Sequence, residues 1–268
     1  MSLRINTNVE AFNAHRQLSG TSDKLAKSME RLSSGYRINR AADDAAGLAI
    51  SEKLQGQIGG LDQAQRNSQD AISLVQTAEG NLQEVHSMLQ RVRELAVQYK
   101  NGSLSATDRA AIQSEVNMLG SEVERIGSSA QFNGILLLSS AANITFQVGA
   151  QDGEVISVST ISLGQSAPPS AFQLTATGSD ISEIDAAIDS ISSQRAQFGA
   201  VQNRLEHTLS NLAVYQENLT ASESRIRDVD MAAEMVNFTK LQILQQSGTA
   251  MLAQANQTPQ SVLSLLKG

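Results

Sequence analysis

Between Leu61 and Tyr99 the chain repeats an apolar residue at alternating intervals of three and four: Leu61, Ala64, Ser68, Ala71, Val75, Ala78, Leu82, Val85, Leu89, Val92, Ala96, Tyr99. Ser68 is the single polar member of a pattern that lasts more than five heptads. A helix that keeps this spacing presents a narrow apolar seam to another long helix. No Pro interrupts the stretch, and Gly80 is its sole glycine. At about 1.5 Å per residue such a helix is roughly 58 Å long, wider than an ordinary small domain. The pattern predicts a mainly α chain, folded as a long antiparallel helical bundle or coiled-coil rod.

Composition supports thin seams over a thick core. Aromatic residues make up 3% of the 268 residues and Trp is absent, so Ala, Leu, Ile and Val must do the packing. A net charge of -7 argues against nucleic-acid or anionic-membrane binding, which needs clustered Lys and Arg. Without Cys there is no disulfide scaffold, thiolate metal site or thiol nucleophile. The first residues lack the apolar core of a cleavable signal peptide, and no run of apolar residues is long enough to span a bilayer.

Around the seam, residues 1–35 carry a weaker helical pattern through Leu18, Leu25 and Leu32, with Phe12 and Met29 beside them. Gly35 suits a left-handed helix end. Asp43 or Asp44 suits the cap of a new helix, expected to run to Gly59-Gly60 before the seam helix begins. Asn101-Gly102, read as a positive-φ pair, ends the seam helix. Ser105 and Asp108 then resemble a capping box. The next helix keeps a seam through Ile112, Val116, Leu119, Val123, Ile126 and Ala130 and should return antiparallel. Asn133-Gly134 closes that part.

Residues 144–148 and 155–161 alternate around Gln151-Asp152-Gly153, which predicts one small β-hairpin, followed by a loop containing Pro168-Pro169. Helical spacing resumes at Ser179-Asp180. One column is apolar at every seventh residue: Ile184, Ile191, Phe198, Leu205, Leu212, Leu219, Ile226. Its neighbour column is mixed: Ile181, Ile188, Arg195, Gln202, Leu209, Gln216, Glu223. The polar members are expected to help fix register. From Leu241 to Leu266 no residue is charged, and apolar residues including Met235, Val236, Phe238, Leu241, Ile243, Leu244, Met251 and Leu252 lie on more than one face. Such a helix must be covered on several sides, which one subunit cannot supply. Both ends are therefore expected to be loose in the monomer and to order on assembly.

These stretches closely resemble bacterial flagellin. The resemblance is carried by Ile5-Asn6-Thr7-Asn8-Val9, Leu32-Ser33-Ser34-Gly35, the run Ile38 to Ile50, Leu89 to Gln98, Gln131-Phe132-Asn133-Gly134 and Ser224 to Ala232. It implies a structural filament subunit for swimming motility, with no enzymatic activity and no cofactor. Residues 1–44 and 227–268 would pair as an inner coiled coil, with assembly residues Leu18, Leu25, Leu32, Met235, Phe238, Leu241, Leu244, Met251 and Leu252. A surrounding rod domain would comprise helices in 45–140, the hairpin and loop in 141–178, and the long helix 179–226. Large outer domains are not expected.

The resemblance also implies export without a cleavable signal peptide through a type III apparatus to an extracellular flagellum. Its partners would be copies of itself in an open helical homopolymer, an export chaperone on about 230–268, filament cap and hook-junction proteins, and a host Toll-like receptor. No nucleic acid or membrane insertion is implied. Matched residue by residue, the receptor contacts are Gln90, Arg91 and Leu95, with Glu115 on the antiparallel helix. Heterologous contacts generate open helical filaments, and the hairpin at 141–163 with the adjoining helices is the expected bistable contact behind filament supercoiling.

Other readings are weaker. His15, His86 and His207 lack ligand spacing. Asp228 and Asp230 suit a helix cap or an ion-pair cluster with Arg225 and Arg227. No nucleophile elbow, phosphate loop or His-Glu-x-x-His set is present. The nearest alternative is a hook–filament junction protein, which growth of long filaments would distinguish. An enzyme on a helical bundle would need a cavity of convergent titratable groups. A free-standing coiled-coil scaffold would have ordered ends in the monomer.

Overall fold

A computed structural model describes residues 8–167, 172–175 and 180–267, with side chains described up to residue 257. The expectations for residues 1–7, for Pro168-Pro169 and for a Ser179 cap lie outside the described residues. The chain divides into two units, Met1–Gly56 with Asn218–Gly268, and Gln57–Glu217.

In the first unit, α1 (Val9–Ser34) begins at Asn8, whose side chain accepts from the Ala11 amide. It ends at Gly35, which has φ 75° and donates back to the Arg31 carbonyl. That left-handed end is the one expected from the sequence. After a turn, Asp44 accepts from the Gly47 amide at 2.9 Å and starts α2 (Ala45–Tyr99). Asp43 instead ties the turn down, accepting from the amides of Asn39 and Arg40 and from Lys27.

The expected break at Gly59-Gly60 does not occur: α2 is one helix of 55 residues. Two adjacent glycines cost helix propensity, roughly 1 kcal/mol each, but they do not forbid helix. Gly60 is there for proximity, because a Cβ on it would lie 3.1 Å from the Ala150 Cβ. Its small size lets the turn between the hairpin strands rest against α2.

In the second unit, α3 (Ala106–Ser129) starts with the full reciprocal box: Asp108 donates its amide to the Ser105 hydroxyl and accepts from the Ser105 amide. Gly102 does not adopt positive φ; among described residues Gly35, Gly134, Gly153 and Asn133 do. Asn133 (φ 48°) and Gly134 (φ 79°) turn a two-residue ribbon, β1 (Gln131–Phe132) with β2 (Ile135–Leu136). Its strands are too short for alternation to reveal them, so the sequence reading missed it.

The predicted hairpin is β3 (Asn143–Gln147) against β4 (Val155–Ser159), antiparallel with Ile144 opposite Val158 and Phe146 opposite Ile156. Those four side chains share the face that meets the core. A four-residue turn, α4 (Leu163–Ser166), follows where a loop was expected.

The helix α5 (Asp180–Arg227) buries its strong column, with Ile184, Ile191, Phe198 and Leu205 at most 1% exposed. Residues of α2, α3 and α5 form one core cluster with Val158 of the hairpin. Polar links fix the order along α2 and α5: Arg93 with Asp185, Glu79 with Arg195, and Asp62 with Gln216. As the α2 number falls the α5 number rises, so the two helices run antiparallel. The mixed column thus supplies register contacts through Arg195 and Gln216, as its polar members suggested.

Asp230 accepts from the amides of Ala232 and Ala233 and starts α6 (Met231–Lys267). Arg227 pairs with Glu223 and lies over the Tyr36 ring at 4.5 Å. Helix α6 packs along α1 in the opposite direction, with Asn8 donating to the Ala255 carbonyl and Ser28 to Glu234.

Candidate functional site

Two surfaces collect the residues expected to act. The first lies on α2 and α3. Arg91 donates Nε and Nη2 to one oxygen of Glu115, at 3.1 and 3.0 Å, and Nη1 to Glu94 at 3.2 Å. The Arg91 and Glu115 side chains remain 52% and 47% exposed. Its hydrogen bonds to Glu115, the larger influence, and to Glu94 raise the guanidinium above its already high ordinary pKa. Gln90 Nε2 lies 3.0 Å from His86 Nε2 on the same helix. The arrangement is a polar, fixed-charge patch held across two helices.

Leu95, expected with Arg91 as a receptor contact, does not lie on the exposed surface. It is 2% exposed and part of the core cluster. The reason is the width of the α2 stripe. This helix packs in the same core as α3 and α5, so a third column, Leu74, Met88 and Leu95, turns inward beside the two seam columns. Leu95 therefore braces the patch from beneath instead of presenting its side chain.

The second surface is the α1–α6 pair. On α1 the seam positions are Ala11, Ala14, Leu18, Thr21, Leu25, Ser28 and Leu32, all buried or half-buried. Opposite them on α6 lie Glu234, Phe238, Leu241, Gln245, Gly248, Leu252 and Ala255. Both series step by three and four, so this is a coiled-coil seam. Small and polar members disguise it in the sequence. A Cβ on Gly248 would meet Leu18 Cδ1 at 3.2 Å. Glu234 accepts from Ser28 and faces Arg31 at 3.8 Å, which pins the pairing.

Of the nine residues expected in this coiled coil, the structure brings Leu18, Leu25, Leu32, Phe238, Leu241 and Leu252 to the seam. Met235, Leu244 and Met251 do not join it; they are 49%, 47% and 66% exposed. With Met231, Val236 and Ile243 they make a broad exposed apolar surface spread over the remaining sides of α6, and α1 adds exposed Val9, Phe12 and Met29. Val236 and Ile243 were not singled out for assembly, yet at 72% and 58% they are among its barest members. A single partner helix satisfies one side of α6 and leaves this surface in water.

Among the described residues no three metal-capable side chains converge, and no helix is long and apolar enough to cross a membrane.

Comparison with known proteins agrees with this layout. Residues 5–143 match the bacterial flagellin N-terminal helical region, and residues 181–266 match the C-terminal helical region. The flagellin of Halalkalibacterium halodurans is 53% identical over 270 residues, covering 98% of this chain and 99% of that one. The flagellin of Bacillus subtilis is 48% identical over 304 residues, covering 99% and 100%. Among solved structures, the crystal structure of Bacillus cereus flagellin matches with a TM-score of 0.50 and 32% identity, over 55% of this chain and 88% of that one.

Proposed function

This chain belongs to the bacterial flagellin family, and from that membership we propose how its two surfaces divide the work of a filament subunit. It is a structural protein of the extracellular flagellar filament, not an enzyme, and it polymerises with copies of itself. Full-length identity to flagellins favours this over the hook–filament junction reading.

The observation that carries the proposal is the bare apolar surface of α6. Met231, Met235, Val236, Ile243, Leu244 and Met251 are about half or more exposed in an isolated chain. Burial of such side chains contributes about 25 cal/mol per Å² of apolar surface, so contact with neighbouring subunits is strongly favoured. The α1–α6 pair is thus the inner coiled coil of the filament, formed from 1–44 and 227–268. Residues 45–226, including the hairpin and loop at 141–178, form the rod domain. The bare surface of α6, before assembly, receives an export chaperone on about 230–268. The filament cap and hook-junction proteins meet the growing polymer.

Seeding purified full-length protein with filament fragments tests the reading. Long filaments should grow from the whole chain and not from one lacking either terminal segment. Undiminished growth after such trimming would end it.

On the α2–α3 patch, Gln90, Arg91 and Glu115 contact the flagellin-sensing Toll-like receptor, with Leu95 beneath them. The hairpin supplies the two-state contact of supercoiling, supported by its close seat on Gly60 through Ala150. Substitutions in the hairpin that left the filament waveform unaltered would count against that role.

A further inference from the structure

The thioethers of this chain are gathered where assembly needs an apolar surface. Its seven methionines include Met29 on α1 and Met231, Met235 and Met251 on α6, which are 55%, 48%, 49% and 66% exposed. The hydrogen bond from Ser28 to Glu234 sets the level of the two helices and brings Met29 alongside the turn that carries Met231 and Met235. Met231 and Met235 are four apart, so they share a face. Met235 also lines a shallow apolar depression with Val236, Thr239, Lys240 and Ile243. Met88, by contrast, is packed against the core. No cysteine is present to intercept an oxidant first.

We propose that Met29, Met231, Met235 and Met251 are an oxidation-sensitive set through which peroxide blocks addition of a free subunit to the filament. The inference rests on the reading of the exposed apolar faces of α1 and α6 as an assembly surface. A sulfur lone pair attacks one oxygen of hydrogen peroxide. The S–O bond forms as the O–O bond breaks, and the departing hydroxide takes the proton from the hydroxyl now on sulfur, leaving the sulfoxide and water. Sulfur loses two electrons and peroxide gains them. The product is a polar sulfoxide with a strong acceptor oxygen in place of a soft apolar group. A sulfoxide on this surface must be desolvated on assembly. Incorporation reverses the exposure, so subunits already in a filament are shielded.

The test uses full-length protein exposed to hydrogen peroxide for graded times, with sulfoxides located by peptide mass spectrometry and growth followed on untreated seeds. Met29, Met231, Met235 and Met251 should oxidise in the free subunit well before Met88, and more slowly in filaments. Growth should fall about tenfold as these four convert, and methionine sulfoxide reductase should restore it. The variant M29L/M231L/M235L/M251L, which keeps Met88 and exposed Met118, should still polymerise after the same treatment. Complete conversion of the four with unchanged growth overturns the inference, and so does an equal loss in the leucine variant. If that variant does not polymerise untreated, the match between site-resolved oxidation, growth and reductase rescue in the unsubstituted chain decides. Val236→Asp, without oxidant, separates the two levels. If it abolishes growth while oxidation does nothing, only the redox inference falls. If it also leaves growth intact, the assembly reading of the surface falls with it.

Discussion

Arg91 gives two of its nitrogens to a single oxygen of Glu115 across the gap between α2 and α3. Glu94, one turn along α2, holds the third. Both partners remain about half exposed, and ion pairs in that setting are screened and add little to folding. Arg91→Ala and Glu115→Ala should therefore leave the thermal midpoint almost unmoved. If the patch contacts the receptor, both should sharply lower receptor signalling by monomeric subunits in a reporter-cell assay. Full signalling by either variant would remove the assignment.

Asp43 provides a pH-dependent restraint on the turn before α2. The Lys27 ammonium, together with the amides of Arg40 and Asn39, lowers its pKa from 3.8 to about 2. Because the folded value is depressed, the contribution is present above the unfolded value and is lost as pH falls through the folded one. Asp43→Asn should thus melt earlier than the unsubstituted chain at about pH 6, and the difference should shrink steeply towards about pH 2 and vanish below it. Calorimetry at a series of pH values reads this directly; a constant difference across that range would contradict it.

Gly59 and Gly60 offer a contrast within one helix. Nothing lies within 4 Å of a Cβ added at Gly59, whereas one at Gly60 approaches Ala150. Gly59→Ala should stabilise α2 by about 0.5–1 kcal/mol through helix propensity alone. Gly60→Ala should gain less than that or nothing, because the Ala150 turn must give way by a few tenths of an ångström. Equal gains in denaturant melts would mean that the turn does not rest on the helix.

Among the described side chains of α6, Leu241 is the deepest apolar one, at 7% exposure. Leu241→Ala should cost about 2–5 kcal/mol of pairing between α1 and α6. A two-helix pair is marginal in water, so that loss should release both ends. Faster proteolysis of the termini, with the 57–217 unit resisting as before, is the expected result. Ends that stayed equally resistant would show that the seam is not what holds them.

The parts of the fold that could be read in advance were those with dense, regular signals. Leu61 to Tyr99 gave its helix by repetition, Ser105 and Asp108 gave a helix start by reciprocal hydrogen bonding, and Ile144 to Ile161 gave a hairpin by alternation. Other parts depend on partners far away in sequence. Gly60 resembles a breaker until Ala150 is brought against it. Leu95 sits near Arg91 on a helical wheel and turns inward because α2 packs with both α3 and α5. The α1–α6 seam escaped apolar counting because Ala11, Ala14, Thr21, Ser28 and Gly248 occupy its positions. Close backbone approach favours such small residues, and they leave no hydrophobic signature.

The hydrogen bond from Asn8 to Ala255 joins residues 247 positions apart. Contacts of such long range close late, since the intervening chain must be fixed before they are rewarded. The first helix of this protein therefore waits for the last. Throughout synthesis, and during any passage in which the chain is threaded end-first, α1 has no groove to lie in. Completion of this pair marks arrival of α6, a built-in check that no copy interrupted before that helix can pass.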